Sequence, residues 1–465
     1  MLIDLGCDLK DRELVVEGIT AAENRLPGLP EAHKSVLLYN LGNGYSGLAD
    51  LDKSNGVAFD PDTTPLKKAK KCFESALSGQ VNHLEIAESR INYGNCLSSL
   101  GRSVEAIYEY EAALKIDADH PMAWGNLGVQ LEYFISISRD LSLLMPALTA
   151  LEKAIGNDRI IQHNAAARVA FEERRNKILA FTAARKPHHA HDKKKNIGLK
   201  HLARYVTFCV SNDLFLNFVL GGWSKHDPVG DFLGLSLITE VKDEITYPKL
   251  ARTINDIKEH FALARLLVYE SAYPPLATLV YDDLTAYTDN LDYGVQGISA
   301  AKLKTALEVG LDTLDKVAFF LNDYLKLGIA DGGVTFRSIW KDSNGKIRPE
   351  FRATDNFHLF GLYNLATDGS LAVGKEVRKL RNLITHRYLI PHAERVGWGS
   401  HIDGPEYHID YHDLYRKTIA VLRFVKSAVI YLVAFIDLEE HKKQKGRLVF
   451  EYRVPRQRSD KLGPL

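Results

Sequence analysis

Cysteine is scarce: Cys7, Cys72, Cys96 and Cys209 are scattered over 465 residues, and no two of them form a C-x-x-C pair. That excludes a disulfide framework and a cysteine-built zinc site as organising devices. Net charge is absent as well, since 59 Lys and Arg balance 59 Asp and Glu. No global field draws the chain to nucleic acid or membrane, so any such affinity has to be local. Neither G-x-x-x-x-G-K-[ST] nor G-x-G-x-x-G occurs. The run "GGWSKHDPVGD" (221–231) has glycines at the wrong spacing and no strand–helix setting, which excludes these phosphate cradles. The opening residues "MLIDLGCDLKDRELVV" lack the basic-then-apolar order of a signal peptide. The most apolar late stretch, "VLRFVKSAVIYLVAFIDLEEH" (421–441), is interrupted by Arg423 and Lys426. It reads as too short to span a bilayer and as a buried helix. The expectation is a soluble, cytoplasmic protein with no membrane attachment.

What remains is ordinary globular material, 46% apolar and 25% charged, long enough for two or three domains. Internal repetition organises the first third. The segments "LLYNLGNGY" (37–45), "RINYGNCL" (90–97) and "AWGNLGVQL" (123–131) share one pattern. Each is followed, after a gap, by a small-x-x-x-large-x-x-Ala helix: Ala69, Phe73, Ala76; then Ala106, Tyr110, Ala113; then Ala147, Leu151, Ala154. Small residues let paired helices approach, and large ones fill the groove between neighbours. This pattern resembles the tetratricopeptide repeat, a helix–turn–helix unit. The middle copy keeps that spacing, and Trp124, Leu127 and Gly128 stand at the signature places of the next. The array is irregular: "LDKSNGVAFDPDTTP" interrupts the first copy, "EYFISISRDLSLLM" the third, and Ala118 replaces the usual closing proline. Trp124, Gly94 and Ala113 are read as core. Function in such arrays lies on the concave surface, where a protein or peptide partner is expected.

After residue 155 the repeat stops. "DRIIQHNAAARVAFEERRNKILAFTAARK" continues as helix, and "KPHHAHDKKKNIGLKH" reads as a solvated basic linker in spite of His188, His189 and His191. Helical periodicity returns in "YPKLARTINDIKEHFALARLLVYESA" and "SAAKLKTALEVGLDTLDKVAFFLNDYLKLG". Between them and the next helix, β-branched and aromatic residues around "DSNGK" predict a small hairpin or ordered loop. The expected layout is a repeat domain over 1–155, a helix and basic linker over 156–199, a helical domain over 200–440 and a basic tail over 441–465. The tail, with Lys442, Lys443, Lys445, Arg447, Arg453, Arg456 and Arg458, is either a phosphate-binding arm or simply solvated.

The chemistry concentrates in "KLRNLITHRYLIPH" (379–392), where Arg381 precedes His386 by five residues. The spacing alone is weak; its setting carries it. On a helix begun near Ser370, with 100° per residue, Val373, Val377, Leu380 and Ile384 share one face. Arg378, Arg381, Asn382, Thr385 and His386 fan over the opposite or flanking surface, with Asn382 and His386 one turn apart. An overlapping match, Arg387 to His392, is broken by Pro391. Imidazole suits proton transfer near neutral pH, and a guanidinium suits a phosphate whose charge grows in the transition state.

"LRNLITHRYL" resembles the motif of the HEPN superfamily: Arg, a polar residue, three more residues, then His. The segments "FCVSNDLFLN", "DIKEHFALARLLVYE" and "VTFRSIW" are similar to a large HEPN subtype of bacterial conflict systems, often fused to tetratricopeptide repeats. The resemblance implies a mainly α fold: an N-terminal tetratricopeptide-like helical repeat array plus a C-terminal HEPN-like α-helical bundle with a small hairpin insertion. It further implies a metal-independent endoribonuclease with no cofactor, which leaves a 2′,3′-cyclic phosphate and a 5′-hydroxyl. His386 would be general acid or base, Arg381 the phosphate clamp and Asn382 the orienting group, with Arg378, Arg387 and His392 touching substrate. Because one helix supplies few groups, the site would be shared between two copies in a homodimer. Family context points to phage defence or a toxin-like role. Two competing readings stand beside it: a non-catalytic scaffold that dimerises through the bundle, and a metal-dependent hydrolase built on His401, His408 and His412, the last two spaced for one helix face.

Overall fold

Repeated pairing of small and large residues builds the first half of the molecule. In the computed structural model, α1 (Leu2–Leu9), α2 (Arg12–Arg25), α3 (Glu31–Ser54), α4 (Thr64–Gly79), α5 (His83–Ser99), α6 (Ser103–Ile116), α7 (Pro121–Ser138), α8 (Leu144–Ile155) and α9 (Arg159–Ala183) follow one another. The structure describes residues 2–54, 64–79, 83–138, 143–183, 200–217, 230–231, 233–235, 237, 246–288, 291–352, 356–368, 375–393, 401–403 and 406–444. Helices α3 and α4, α5 and α6, and α7 and α8 pack as consecutive pairs, and each pair stacks on the next. The reason is local. A Cβ placed on Gly42 would fall 2.6 Å from the Phe73 ring, one on Gly94 2.6 Å from Tyr110, and one on Gly128 2.7 Å from Leu151. All nine alternating positions from Ala69 to Ala154 are buried. The helical repeat array expected from the sequence is therefore present.

Two details differ. Trp124 lies at the rim rather than in the core: its indole N–H donates to the Ala118 carbonyl at 2.7 Å, and the Lys153 ammonium sits 3.8 Å over the ring. Helix α9 is broken at Asn164 (φ −169°, ψ 100°), whose side chain accepts from the Ala167 N–H and so caps the second segment. That segment continues the stack, because Phe171 fills the space over Gly125. His188, His189 and His191 lie outside the described residues, as does the tail from 445 onward.

The second half is a bundle of α10 (Lys200–Ser211), α11 (Thr246–Ala272), α12 (Leu276–Asp283), α13 (Ile298–Tyr324), α14 (Pro349–Arg352), α15 (Phe357–Thr367), α16 (Lys375–His386) and α17 (Tyr411–Gln444). Helix α13 packs on α11, α16 and α17, while α15 packs on α17. Helix α17 is 34 residues long, about 50 Å. Length therefore does not exclude a membrane span, contrary to the reading from sequence. Of the described residues only Tyr411–Lys443 is long and apolar enough to cross a membrane, and 89% of its most apolar stretch is buried inside the protein. Lys426 donates to the Asp213 carboxylate at 2.7 Å. Burial pushes its pKa down and the carboxylate opposes that push.

The hairpin around "DSNGK" is a compact turn. Lys341 bridges Ile347, and the Asp342 N–H donates to the Lys346 carbonyl at 2.8 Å. A three-stranded sheet was not anticipated. It has the order β1 (Tyr388–His392), β3 (Glu406–Asp410), β2 (His401–Asp403), with β1 parallel and β2 antiparallel to β3.

The two halves meet along a seam. The Cβ position of Gly101, which has φ +78°, would lie 2.6 Å from the Phe357 carbonyl, and Gly361 lies against the Gly101 backbone. Only glycines allow so close an approach. Beside them Arg102, fully buried, pairs with Asp368, which also holds Lys70 at 3.0 Å. The Tyr431 hydroxyl of α17 donates to Glu105 at 2.5 Å and accepts from the Val104 N–H at 2.9 Å. His358 of α15 stacks on Tyr133 of α7, their hydrogen bond being 2.9 Å.

Candidate functional site

Helix α16 is held by Leu380 and Leu383, 0% and 4% exposed, with Ile384 packed against the same core. That anchor turns the remaining face outward. Asn382 and His386 are exposed, one turn apart, and Arg381 is half-buried at the edge of the apolar stripe. The helix ends at His386 and Arg387 follows it, exposed. The sequence reading of Arg381, Asn382 and His386 as one polar face therefore has a real surface under it. The side chains of Val377, Arg378 and Thr385, and residues 369–374 with Ser370 and Val373, lie outside the described residues.

The surroundings of Arg381 were not legible. Its guanidinium pairs with Asp312 through one terminal nitrogen, and the other lies 3.4 Å from Asp315. Both carboxylates stand on α13, three residues apart and hence on one face. The signal lay in D-x-x-D within an amphipathic helix, a pattern too common to stand out alone. The acids fix the arginine's direction, and they also offset the charge a phosphate would meet.

His392 does not join this surface. The strand β1 that follows α16 turns it inward, 8% exposed. Its Nδ1 faces the Asp292 carbonyl at 2.9 Å, and its Nε2 faces Nδ1 of His408, also at 2.9 Å. The expected substrate contact from His392 is thus corrected: its ring is enclosed between the Asp292 carbonyl and His408 instead of joining the Arg381–His386 surface. The proposed trio of His401, His408 and His412 is corrected too. His408 lies in β3 and His412, exposed, in the first turn of α17, so no helix face joins them. The His401 side chain is outside the described residues. Asp410 serves as a cap, accepting from the Asp413 N–H at 2.9 Å, and Asp413 in turn meets Arg416 at 3.2 Å.

Exposed apolar side chains border the same end of the bundle. Leu291 and Tyr293 are 88% and 77% exposed, and Tyr388 is 65% exposed. The loop carrying Tyr293 runs along the free edge of β1: Val295 N–H donates to Pro391 at 2.7 Å, and Ala393 N–H to Tyr293 at 3.2 Å.

A family match over residues 241–439, less than half of the chain, supports a HEPN superfamily domain in the stretch that carries α11, α13, α15, α16 and α17. The matching family is described as LA2681-like HEPN. Comparison with curated proteins and with solved structures gives no match.

Proposed function

We propose that the C-terminal domain is a metal-independent endoribonuclease whose reacting groups are His386, Arg381 and Asn382. The observation that carries this reading is the polar face of α16: an exposed imidazole and amide one turn apart, beside a directed guanidinium, within the matched HEPN region. A basic imidazole takes the 2′-hydroxyl proton. The 2′-oxygen then attacks phosphorus, the bond to the 5′-oxygen breaks, and an imidazolium protonates the leaving oxygen. The products are a 2′,3′-cyclic phosphate and a 5′-hydroxyl. Arg381 balances the added charge on the phosphoryl oxygens, and Asn382 orients His386.

One imidazole cannot start as both base and acid, so two copies of α16 complete the site in a homodimer. The exposed Leu291, Tyr293 and Tyr388 beside it support a second copy as the covering partner. The repeat array, of tetratricopeptide type, would recognise a protein or peptide trigger, in a defensive or toxin-like setting within the cytoplasm. Of the substrate contacts first assigned, Arg387 stays with this surface.

The test is cleavage of mixed RNA in the presence of EDTA. Activity that survives EDTA and falls about 10²-fold or more in His386→Ala and Arg381→Ala is the expected result. A folded wild-type dimer that leaves RNA intact favours the scaffold reading, which the Asp312 and Asp315 pairing of Arg381 specifically supports. Cleavage abolished by EDTA would point to metal chemistry.

A further inference from the structure

Asp292, His392 and His408 come from three separated places in the chain: the loop before α13, strand β1 and strand β3. Register explains the meeting of the histidines. His392 faces Asp410 across the parallel ladder, so His408, two residues earlier on β3, is its diagonal neighbour on the same face of the sheet. The ring centroids are 5.1 Å apart. The bridge from Gly294 to His392 brings Asp292 alongside, and a carboxylate oxygen of Asp292 lies within 4.8 Å of one ring nitrogen of each histidine.

Proton placement makes this trio more than a cluster. A backbone carbonyl only accepts, so His392 Nδ1, 2.9 Å from the Asp292 carbonyl, carries its proton there and turns the Nε2 lone pair toward His408. On the far side of His408, Nε2 lies 3.5 Å from the Glu406 carboxylate, which favours a proton on that nitrogen. Without an ion, a proton on His408 Nδ1 joins the two facing nitrogens at 2.9 Å; a metal ion would displace that proton and take both lone pairs. Outer partners of this kind, a carbonyl behind one imidazole and a carboxylate behind the other, are the arrangement that orients histidines toward a metal. Zinc bound at 2.0–2.1 Å in a tetrahedron separates two nitrogens by about 3.3 Å, so the rings need to part by only a few tenths of an ångström.

We propose that Asp292, His392 and His408 bind one divalent transition-metal ion of the zinc class. Two imidazoles and one carboxylate make three protein ligands, and the exposed side of Asp292 leaves a fourth position to water. The ion clamps the loop before α13 to β1 and β3. It is distinct from Arg381 and His386 and takes no part in RNA cleavage. This differs from the metal-free expectation drawn from the sequence.

The test uses the full chain, stripped with EDTA, dialysed and titrated with Co²⁺ as a spectroscopic probe. Expected are visible d–d absorption bands saturating at one ion per chain, their displacement by Zn²⁺, and a melting temperature raised by several degrees with Zn²⁺. His392→Gln and His408→Gln should abolish both signals. Asp292→Asn, a surface change that leaves the fold intact, should weaken binding about tenfold or more. A folded wild type that shows neither bands nor a thermal shift overturns the site, as do bands undiminished in folded His408→Gln or Asp292→Asn.

Discussion

The Arg381 guanidinium is ion-paired to Asp312 of the neighbouring helix, with Asp315 3.4 Å from its other terminal nitrogen. At 39% and 41% side-chain exposure the Arg381–Asp312 pair is worth about 0–1 kcal/mol to stability. Its larger effect falls on what the arginine can bind. Asp312→Asn should leave the urea midpoint nearly unchanged while strengthening RNA binding a few-fold at low salt, an advantage that shrinks as salt rises. Fluorescence anisotropy with a short single-stranded RNA reads it. Equal affinity for wild type and variant would remove Arg381 from the role of phosphate clamp.

Asp368 is the shared carboxylate of the seam, serving Arg102 and Lys70 together. Asp368→Ala leaves the buried Arg102 with Glu105, at 3.3 Å, as its one ion-pair partner among the described residues. A loss of about 3–5 kcal/mol is expected from chemical denaturation, since a buried charge stripped of its partner is among the costliest changes. A loss below about 1 kcal/mol would show that water reaches the seam.

His358 makes the seam sensitive to acid. Burial pulls its pKa from 6.5 down to about 4. Between those values the unfolded chain binds a proton that the folded chain refuses. Stability therefore holds above about pH 6.5 and falls as the pH drops toward 4, by about 3 kcal/mol in all. Below that the effect is complete. Urea titrations at pH 7, 5.5 and 4.5 should show this slope in wild type and a flatter one in His358→Gln. Identical slopes would mean that other groups set the pH dependence.

In the repeat array, Gly94→Ala should cost about 1–3 kcal/mol, because the new methyl meets the Tyr110 ring at 2.6 Å. Gly94→Ala combined with Tyr110→Leu should cost less than the sum of the single changes, a coupling that a double-mutant cycle measures. Strict additivity would show that the helices separate instead of repacking.

Legibility tracked the range of the interactions. Gly42, Gly94 and Gly128 announced their partners because a repeated close approach leaves a repeated small residue. The polar face of α16 could be read because Leu380 and Leu383 impose helical periodicity on it. The sheet was missed because "YLIPH" and "EYHID", at five residues each and dense in histidine, read as a polar constellation, and their burial does not follow a simple alternation. Asp292, about a hundred residues before His392, and Asp312, about seventy before Arg381, carry no local mark of their partners. Such pairings are set by how helices cross, which one sequence does not display. The seam was invisible for the same reason: Arg102 and Asp368 are each unremarkable in their own segments.

Helix α17 follows every other described element, yet Tyr431 and Lys426 from it complete polar groups on Glu105, Val104 and Asp213. During synthesis the repeat helices leave the ribosome long before those partners exist. The nascent N-terminal half must therefore wait with its charged flank in water until α17 arrives. Completion of these polar groups is thus coupled to synthesis of α17, so a ribosome that has made only the repeats carries an N-terminal half still lacking its Tyr431 and Lys426 contacts.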